Sequence, residues 1–232
     1  MRKPRLLDLC CCAGLASDGY ARAGWDVAGV DIVEQPNYPY HFRCADALEW
    51  LPTMLDTAER FDKPYAAIHA SPPCQHGTAY KRRPDHVKDS PNLVPAFRAA
   101  LDATGLPYVI EQPKVNAWAL IPERTITLDG TMFDLDVMRP RCFESNVPWP
   151  ALLPMRNRAR QTPRFAQATN RTNLRRTVEI GVWRIPLDVQ KAAMGIERDV
   201  TLHELSESIP PAYTEWIGAQ LLGCLTPTPA PA

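Results

Sequence analysis

A cysteine on a proline-rich turn is the most reactive group that the sequence offers. It stands in Ser71-Pro-Pro-Cys74-Gln75, directly after the apolar run Tyr65–Ala70. Two successive prolines fix the backbone φ angle and hold the cysteine rigidly beyond the end of the predicted strand. A thiolate in such a place is a strong nucleophile even when only a few per cent of the thiol is ionised. We therefore predict that Cys74 is a nucleophile; a surface thiol without a function is the alternative.

Acidic residues stand at the ends of the other predicted strands. Glu111, in Glu111-Gln112-Pro113, ends the strand that follows the cysteine turn, which places a carboxylate close to the Cys74 thiol. A cap of a turn or helix is the alternative role for Glu111. Ligands bind parallel sheets at the edge where the strands end. Three aspartates also fall at this edge: Asp8, Asp31 and Asp46.

Alternating apolar runs and helical patterns predict the elements that carry these residues. Strand and helix alternating at this spacing predict an α/β fold: a doubly wound, mostly parallel sheet with helices on both faces. Regular structure resumes near Leu187–Met194 and in an amphipathic helix near Ala212–Leu222. The predicted strands are Arg5–Leu9, Val27–Ile32, Tyr40–Cys44, Tyr65–Ala70 and Tyr108–Ile110, with helices near Ser17–Ala23, Asp46–Glu59 and Leu93–Ala103 between them.

The segment Asp8-Leu-Cys-Cys-Cys-Ala-Gly14 lies between the first predicted strand and the first helix. A tight turn there can bring backbone amides against a ligand. The segment lacks a complete G-x-G-x-x-G pattern, so an ordinary turn is the alternative. Asp31, roughly 20 residues further on, occupies the place where an acidic side chain binds ribose hydroxyls in nucleotide-binding folds. The turn and Asp31 together favour a nucleoside ligand.

Length and composition limit the class of protein. The 232 residues are 45% hydrophobic and 22% charged, which is typical of a globular protein with one large core, or a core and a small lobe. The seven cysteines are an odd number without a C-x-x-C pair. We therefore expect neither a disulfide framework nor structural zinc, and a reduced, cytoplasmic protein. No apolar stretch approaches about 18 residues, so we expect no membrane span.

Charge is segregated along the chain although the formal net charge is zero. The stretch Ser145–Val178 contains no acidic residue and seven arginines. Unpaired charges at this density repel each other unless a polyanion is present; a solvated loop is the alternative. We predict a small, irregular basic lobe at residues 144–186, inserted between two parts of a larger domain at residues 1–143 and 187–225, with a disordered tail at residues 226–232. The arginines are Arg156, Arg158, Arg160, Arg164, Arg171, Arg175 and Arg176.

The order of these motifs resembles that of the DNA cytosine-5 methyltransferase family over nearly the whole chain. Asp8–Gly14 is similar to the family's first cofactor loop, and Ser71–Gln75 matches its nucleophile motif residue for residue. Seven such segments in the family's order make the resemblance specific. The region between the last two motifs is short, so the chain resembles a compact member with a short target-recognition region. The other five segments are Gly29–Ile32, Ala45–Ala47, Glu111–Pro113, Arg139–Phe143 and Pro210–Gly218.

At several positions the sequence departs from the family's motifs. Cys10 and Cys12 replace the usual Phe and first Gly of the cofactor loop, and Leu15 replaces a later Gly. Half of the departures therefore fall in that loop. Elsewhere Gln112, Val137 and Ala219 stand where the family has Asn, Gln and Asn.

The resemblance implies S-adenosylmethionine as the cofactor and a set of residues that bind it. Most of this set comes from the first cofactor loop and from the ends of the next two strands. The implied cofactor-binding residues are Asp8, Cys12, Ala13, Gly14, Leu15, Asp31, Ile32, Asp46, Ala47, Pro72 and Ile217.

The resemblance also implies how the catalytic residues act. The Cys74 thiolate would attack carbon 6 of cytosine, and Glu111 would contact ring nitrogen 3 and the exocyclic amine. Arg141, and with it Arg139, would hold the base oxygen or the charge that develops on the adduct. The target base must leave the stack of double-stranded DNA to be reached. We interpret His76–Asn92 as a lid that closes on the extruded base, with a solvated loop as the alternative.

Two other interpretations stay open at this point. tRNA cytosine-5 methyltransferases share this motif set, and the arginine-rich lobe favours DNA only slightly. A catalytically silent DNA-binding relative is the third interpretation, and the intact Cys74, Glu111 and Arg141 count against it. We expect a monomer that acts on double-stranded DNA, with restriction-modification as its setting.

Overall fold

The computed structural model describes residues 2–60, 63–74, 91–149 and 177–225. Three predictions fall largely outside these ranges. All seven arginines of the predicted basic lobe, residues 76–90 of the predicted lid and the tail at 226–232 lie outside the described residues, so each stays a prediction. Within the described ranges, no helix is both long and apolar enough to cross a membrane.

Seven strands form one mixed sheet at the centre of the fold. They are β1 (Arg5–Leu9), β2 (Asp26–Asp31), β3 (His41–Cys44), β4 (Tyr65–Ala70), β5 (Tyr108–Pro113), β6 (Thr125–Leu128) and β7 (Arg141–Ser145). Their order in the sheet is β3-β2-β1-β4-β5-β7-β6. Neighbouring strands are parallel except β7, which runs antiparallel to both β5 and β6. The predicted α/β class with a mostly parallel sheet is confirmed.

Helices cover both faces of this sheet. The side chains of β1 alternate between the faces, as the period of a strand requires. Leu6 packs with Tyr20 and Ile217 on one face, whereas Leu7 and Leu9 belong to the core cluster on the other. The helices are α1 (Leu15–Ala23), α2 (Ala47–Arg60), α3 (Val94–Thr104), α4 (Leu187–Met194), α5 (Leu202–Glu207) and α6 (Pro211–Leu225).

The first and last helices pack closely against one another. A β-carbon on Gly19 of α1 would lie 2.1 Å from both the carbonyl oxygen of Pro211 and the hydroxyl of Thr214, so only glycine lets α1 and α6 approach this closely. The Thr214 hydroxyl donates to the carbonyl of Ala16 at 2.8 Å. The end of the described chain is thereby fixed on the helix that follows β1.

The chain after α4 also returns to the first part of the fold. Leu15 at the start of α1 shares a small core cluster with Val137 and Met194. Arg198 forms an ion pair with Asp18 of α1 at 2.7 Å. These contacts hold the last 40 or so described residues against α1. The domain boundaries themselves stay predictions.

The structure extends one predicted strand and adds two strands, the helix α5 and three short 3-10 helices. β5 runs to Pro113 instead of ending at Ile110, so Glu111 lies inside the strand and not after it. The sequence analysis misses β6, β7 and α5, which are short and contain many polar residues. Antiparallel pairing supplies the hydrogen bonds of β6 and β7, and local apolar patterning carries little of that information. α5 does have a local signal, a capping box between Thr201 and Glu204.

Candidate active site

Cys74 lies beyond the C-terminal end of β4, where the sequence predicts it. The Ser71 amide still bonds to the carbonyl of Leu9 at 3.0 Å, and the two prolines then lead the chain away from the sheet. The Cys74 thiol is partly exposed. Burial raises its pKa, the negative charge of Glu111 raises it further, and the positive charge of Arg141 acts in the opposite direction. The thiol, the carboxylate and the guanidinium therefore share one electrostatic environment.

Glu111 and Arg141 form an ion pair beside this thiol. Arg141 Nε lies 3.1 Å from Glu111 Oε1, and both side chains are largely shielded from solvent. The pair exists because β7 returns antiparallel to β5 and places Arg141 opposite Pro113. Burial raises the pKa of Glu111, while Arg141, Arg139 and a hydrogen bond from Ser71 oppose the shift. The pKa of this carboxyl thus lies above its ordinary value, in the direction that favours sharing a proton with a bound group.

Arg139 lies near this pair but its donors bind elsewhere. Its guanidinium donates to the carbonyls of Ser208 at 2.8 Å and Ser206 at 2.5 Å. The hydroxyl of Tyr213 donates to the Arg139 carbonyl at 3.0 Å. Burial, and then the positive charge of Arg141, lower the pKa of Arg139. The structure thus brings Arg139 to the edge of the site as an anchor between β7 and the last two helices.

The predicted cofactor loop has an unusual backbone. Cys10 and Cys12 adopt φ angles of 57° and 45°, in the left-handed region that glycine and asparagine usually occupy, and Gly14 has a φ of 84°. A β-carbon on Gly14 would lie 2.7 Å from the ring of Tyr38, so glycine is required there. Ala13 is buried, and its carbonyl accepts a hydrogen bond from Arg198. The loop is a defined turn held against β2 and α1.

Two buried aspartates face this loop. Both oxygens of Asp31 accept backbone amides, Oδ2 from Cys12 at 2.9 Å and Oδ1 from Val33 at 3.0 Å. Asp8 is fully buried and accepts a 2.5 Å hydrogen bond from Ser17. Burial is the main cause that raises the pKa of Asp8 to about 7, and the Asp31 charge adds to it. The other oxygen of Asp8 is buried and accepts no hydrogen bond from the described residues.

The remaining predicted cofactor residues lie at different depths. Asp46 caps α2 by accepting the amides of Leu48 and Glu49 at 2.9 and 3.2 Å. Ile32, which follows Asp31, is an exposed apolar residue with 68% of its surface accessible. Leu15, Ala47, Pro72 and Ile217 are buried, and Leu15 and Ile217 lie within core clusters. The roles of these residues in binding a cofactor stay predictions.

A buried hydrogen-bond chain that the sequence analysis misses leads to Glu111. The Tyr20 hydroxyl lies 2.9 Å from His69 Nδ1, and His69 Nε2 lies 3.0 Å from the Ser71 hydroxyl. Ser71 in turn hydrogen-bonds the Glu111 carboxyl. Burial lowers the pKa of His69 to about 3, so the ring is neutral and acts through one donor and one acceptor nitrogen. A histidine within the apolar run Tyr65–Ala70 is the signal that would have found it.

Comparison with known proteins identifies solved structures that have a similar fold. No protein-family model matches the sequence, and no curated protein matches it. Among solved structures, the Entamoeba histolytica methyltransferase EhMeth is similar to the chain with a TM-score of 0.60 at 11% identity, covering 97% of this chain and 100% of that one. The S. pombe Dnmt2 methyltransferase has a TM-score of 0.57 at 12% identity, with the same coverage. The fold is that of a methyltransferase.

A third similar structure is larger than this chain. It is a protein encoded within an E. coli prophage and assigned as a DNA modification methyltransferase, with 20% identity and a TM-score of 0.44 over 62% of this chain. The chain spans about half the length of this protein and of a Spodoptera frugiperda Dnmt2, 46% and 52% respectively. Since the sequence identities are low, the similarity shows the fold, and the chemistry rests on the residues of the site.

Proposed function

We propose that this methyltransferase-like chain transfers a methyl group from S-adenosylmethionine to carbon 5 of cytosine in DNA, through a covalent adduct with Cys74. One observation carries the proposal: Cys74, Glu111 and Arg141 lie together at one edge of the sheet, and their charges act on one another. A nucleophilic thiol, a buried carboxyl and a guanidinium are the three groups that addition to a cytosine ring requires.

Each of these side chains has a step to perform. The Cys74 thiolate attacks carbon 6 of the base, which makes carbon 5 electron-rich. Glu111 hydrogen-bonds ring nitrogen 3 and the exocyclic amine, because its raised pKa allows it to share a proton with the base as the adduct forms. Arg141 stabilises the charge that develops on the base oxygen. After transfer, the carbon 5 proton leaves to solvent water, and the electron pair of that bond expels the Cys74 thiolate from carbon 6.

The opposite end of the same sheet edge fits the proposed cofactor. S-adenosylmethionine supplies an electrophilic methyl group on a positively charged sulfur. Asp8 and Asp31 are buried carboxylates near the positive-φ loop, and one Asp8 oxygen has no hydrogen-bond donor among the described residues. Asp31 and Asp46 would bind the nucleoside part, with Ile32 against its apolar face. A cationic ligand would offset the repulsion between these carboxylates.

The choice of DNA rests on charge. The basic lobe at residues 144–186 would contact phosphates through its seven arginines, and the lid at residues 76–92 would close on the flipped base. tRNA is the other substrate to which these catalytic residues could transfer a methyl group. A monomeric enzyme acting in the cytoplasm on double-stranded DNA is the simplest form of the proposal.

Methylation with labelled cofactor tests the proposal directly. We expect label in duplex DNA and none in tRNA. Label in tRNA alone would overturn the choice of polymer, and label in neither, by a folded protein that binds the cofactor, would overturn the transferase. DNA that carries 5-fluorocytosine should form a covalent adduct with the wild-type chain and none with Cys74→Ala. The Cys74→Ala variant should keep its cofactor affinity.

A further inference from the structure

Two fully buried amide side chains hold the turn that carries the proposed nucleophile. Gln112 lies in β5, next to Glu111, and Asn116 lies one turn later in the 3-10 helix Lys114–Ala119. Neither side chain is accessible to solvent. Burying an amide is costly unless its polar atoms are hydrogen-bonded, so the partners of these two residues indicate what they do.

The partners are the backbone carbonyls of the cysteine turn. Gln112 Nε2 donates to the carbonyl of Pro72 at 2.7 Å. Asn116 Nδ2 donates to the carbonyl of Cys74 itself at 2.8 Å and to Gln112 Oε1 at 3.1 Å. Because Nδ2 lies between two acceptors, these contacts also assign the orientation of the Asn116 amide. The two amides thus form one connected clamp on the turn.

The turn has few other groups by which the protein can hold it. Residues 72 and 73 are prolines and carry no amide hydrogen, so the backbone between Ser71 and Cys74 can accept hydrogen bonds but cannot donate any. Ser71 is the last residue of the turn whose own amide bonds to a strand, through the carbonyl of Leu9. Asn116 supplies a fixed point beyond it, at the cysteine.

We propose that Asn116 is a positioning residue of the nucleophile, which fixes the main chain of Cys74 relative to Glu111. Both ends of this link belong to one continuous segment, because Glu111 lies in β5 and Asn116 in the 3-10 helix that follows directly. A shift of the cysteine turn away from the carboxyl is therefore resisted by the hydrogen bond at Cys74. The inference rests on the proposed function in one respect: methyl transfer is the reaction in which the position of Cys74 relative to Glu111 matters.

Three variants separate positioning from simple stability. Asn116→Asp keeps the shape of the side chain but turns an acceptor toward the Cys74 carbonyl, and Asn116→Ala removes the contact. Thr104→Ala is the control, because the Thr104 hydroxyl also makes two backbone hydrogen bonds, to the Leu101 carbonyl and from the Leu106 amide, between the end of α3 and the start of β5. If Asn116→Ala does not fold, Asn116→Asp carries the test.

The main measurement is single-turnover methyl transfer with saturating cofactor and DNA. We expect the Asn116 variants to be about 10- to 100-fold slower than wild type, with DNA and cofactor dissociation constants within about twofold, as for a misplaced reacting group. The ratio of the Asn116→Asp rate to the wild-type rate should rise as the pH falls, because a protonated carboxyl can donate again. Thr104→Ala should lower the melting temperature and leave the rate unchanged. Wild-type rates in folded Asn116→Asp would overturn the inference.

A second measurement does not depend on methyl transfer. Alkylation of Cys74 by iodoacetamide, followed by mass spectrometry of its peptide, should be at least about threefold faster in Asn116→Ala than in wild type or Thr104→Ala, because a released turn exposes the thiol. If the wild-type chain methylates neither DNA nor tRNA, the proposed function fails while this rate still decides the role of Asn116. Equal alkylation rates in all three proteins would overturn the positioning role.

Discussion

The C-terminal ends of β1 and β2 and those of β4 and β5 lie along one edge of the sheet, yet the two regions treat buried charge differently. In the first region Asp8 and Asp31 are both buried, and within the described residues neither forms an ion pair. In the second region Glu111 is paired with Arg141, and Arg139 lies nearby. One region holds two buried carboxyls without an ionic partner among the described residues, and the other holds a buried carboxyl paired with a guanidinium.

This difference matches two kinds of ligand. A positively charged group lowers the repulsion between buried carboxylates, so the acidic region is suited to a cationic cofactor. An uncharged base that gains charge only during the reaction is better served by a paired acid and guanidinium, which can respond to that charge. In the proposed function, the same sheet edge would bind the methyl donor at one end and the acceptor base at the other.

The largest effect is expected at the balanced end. Glu111→Gln should slow single-turnover methyl transfer about 10²- to 10³-fold, because it removes a group that stabilises the developing charge. It should also lower the pKa of Cys74, since the Glu111 charge raises that pKa. Alkylation of Cys74 measured against pH would then shift to lower pH.

Arg141→Gln is the matched control for this shift, because the Arg141 charge acts on the thiol in the opposite direction. Its alkylation profile should move to higher pH. Shifts of the same sign in both variants would contradict the paired arrangement.

A smaller effect is expected for cofactor binding at the acidic end. Asp31→Ala should weaken the binding of S-adenosylmethionine by about 1.5–3 kcal/mol, measured by calorimetry. This loss is typical of a hydrogen bond to a charged group. Asp26 lies at the other end of the same strand and provides the control. If Asp31→Ala and Asp26→Ala bind the cofactor equally well, the cofactor lies elsewhere.

The smallest effect concerns stability and pH. The folded-state pKa of Asp8, about 7, lies above the value near 4 expected for an unfolded aspartate, so the folded state favours the protonated form. The contribution of this carboxyl to the free energy of unfolding is complete below about pH 4 and is lost as the pH rises through 7. In Asp8→Asn the side chain does not ionise, so the free energy of unfolding is not lowered in this way as the pH rises. Its free energy of unfolding, relative to wild type, should rise by on the order of 1–2 kcal/mol between pH 5 and pH 8.

Denaturant unfolding at the two pH values measures this difference. Saturating S-adenosylmethionine should reduce the pH dependence of the wild-type chain if the cation lies near Asp8. A constant difference between the two proteins across this range would show that the first region does not hold an uncompensated buried carboxyl.

The sequence by itself determined the alternation of strands and helices and the placement of Asp8, Asp31, Cys74 and Glu111 on one edge. Local patterns suffice for this, because parallel strands linked by helices all end on the same side of a sheet. The pattern also located the cysteine turn, since two prolines constrain the backbone whatever surrounds them. Strand boundaries were less certain, as the extension of β5 through Glu111 shows.

Only the tertiary structure decided which side chains meet at that edge. Arg141 reaches Glu111 because β7, a strand with no clear apolar pattern, returns antiparallel beside β5. Asn116 reaches the Cys74 carbonyl across 42 positions of sequence, and Tyr20 reaches His69 across 49. Such contacts depend on strand register and helix packing, and a shift of one residue would turn each side chain to the other face of the sheet. That is why the sequence indicates the groups that can react, whereas only the fold assigns the groups that hold them in place.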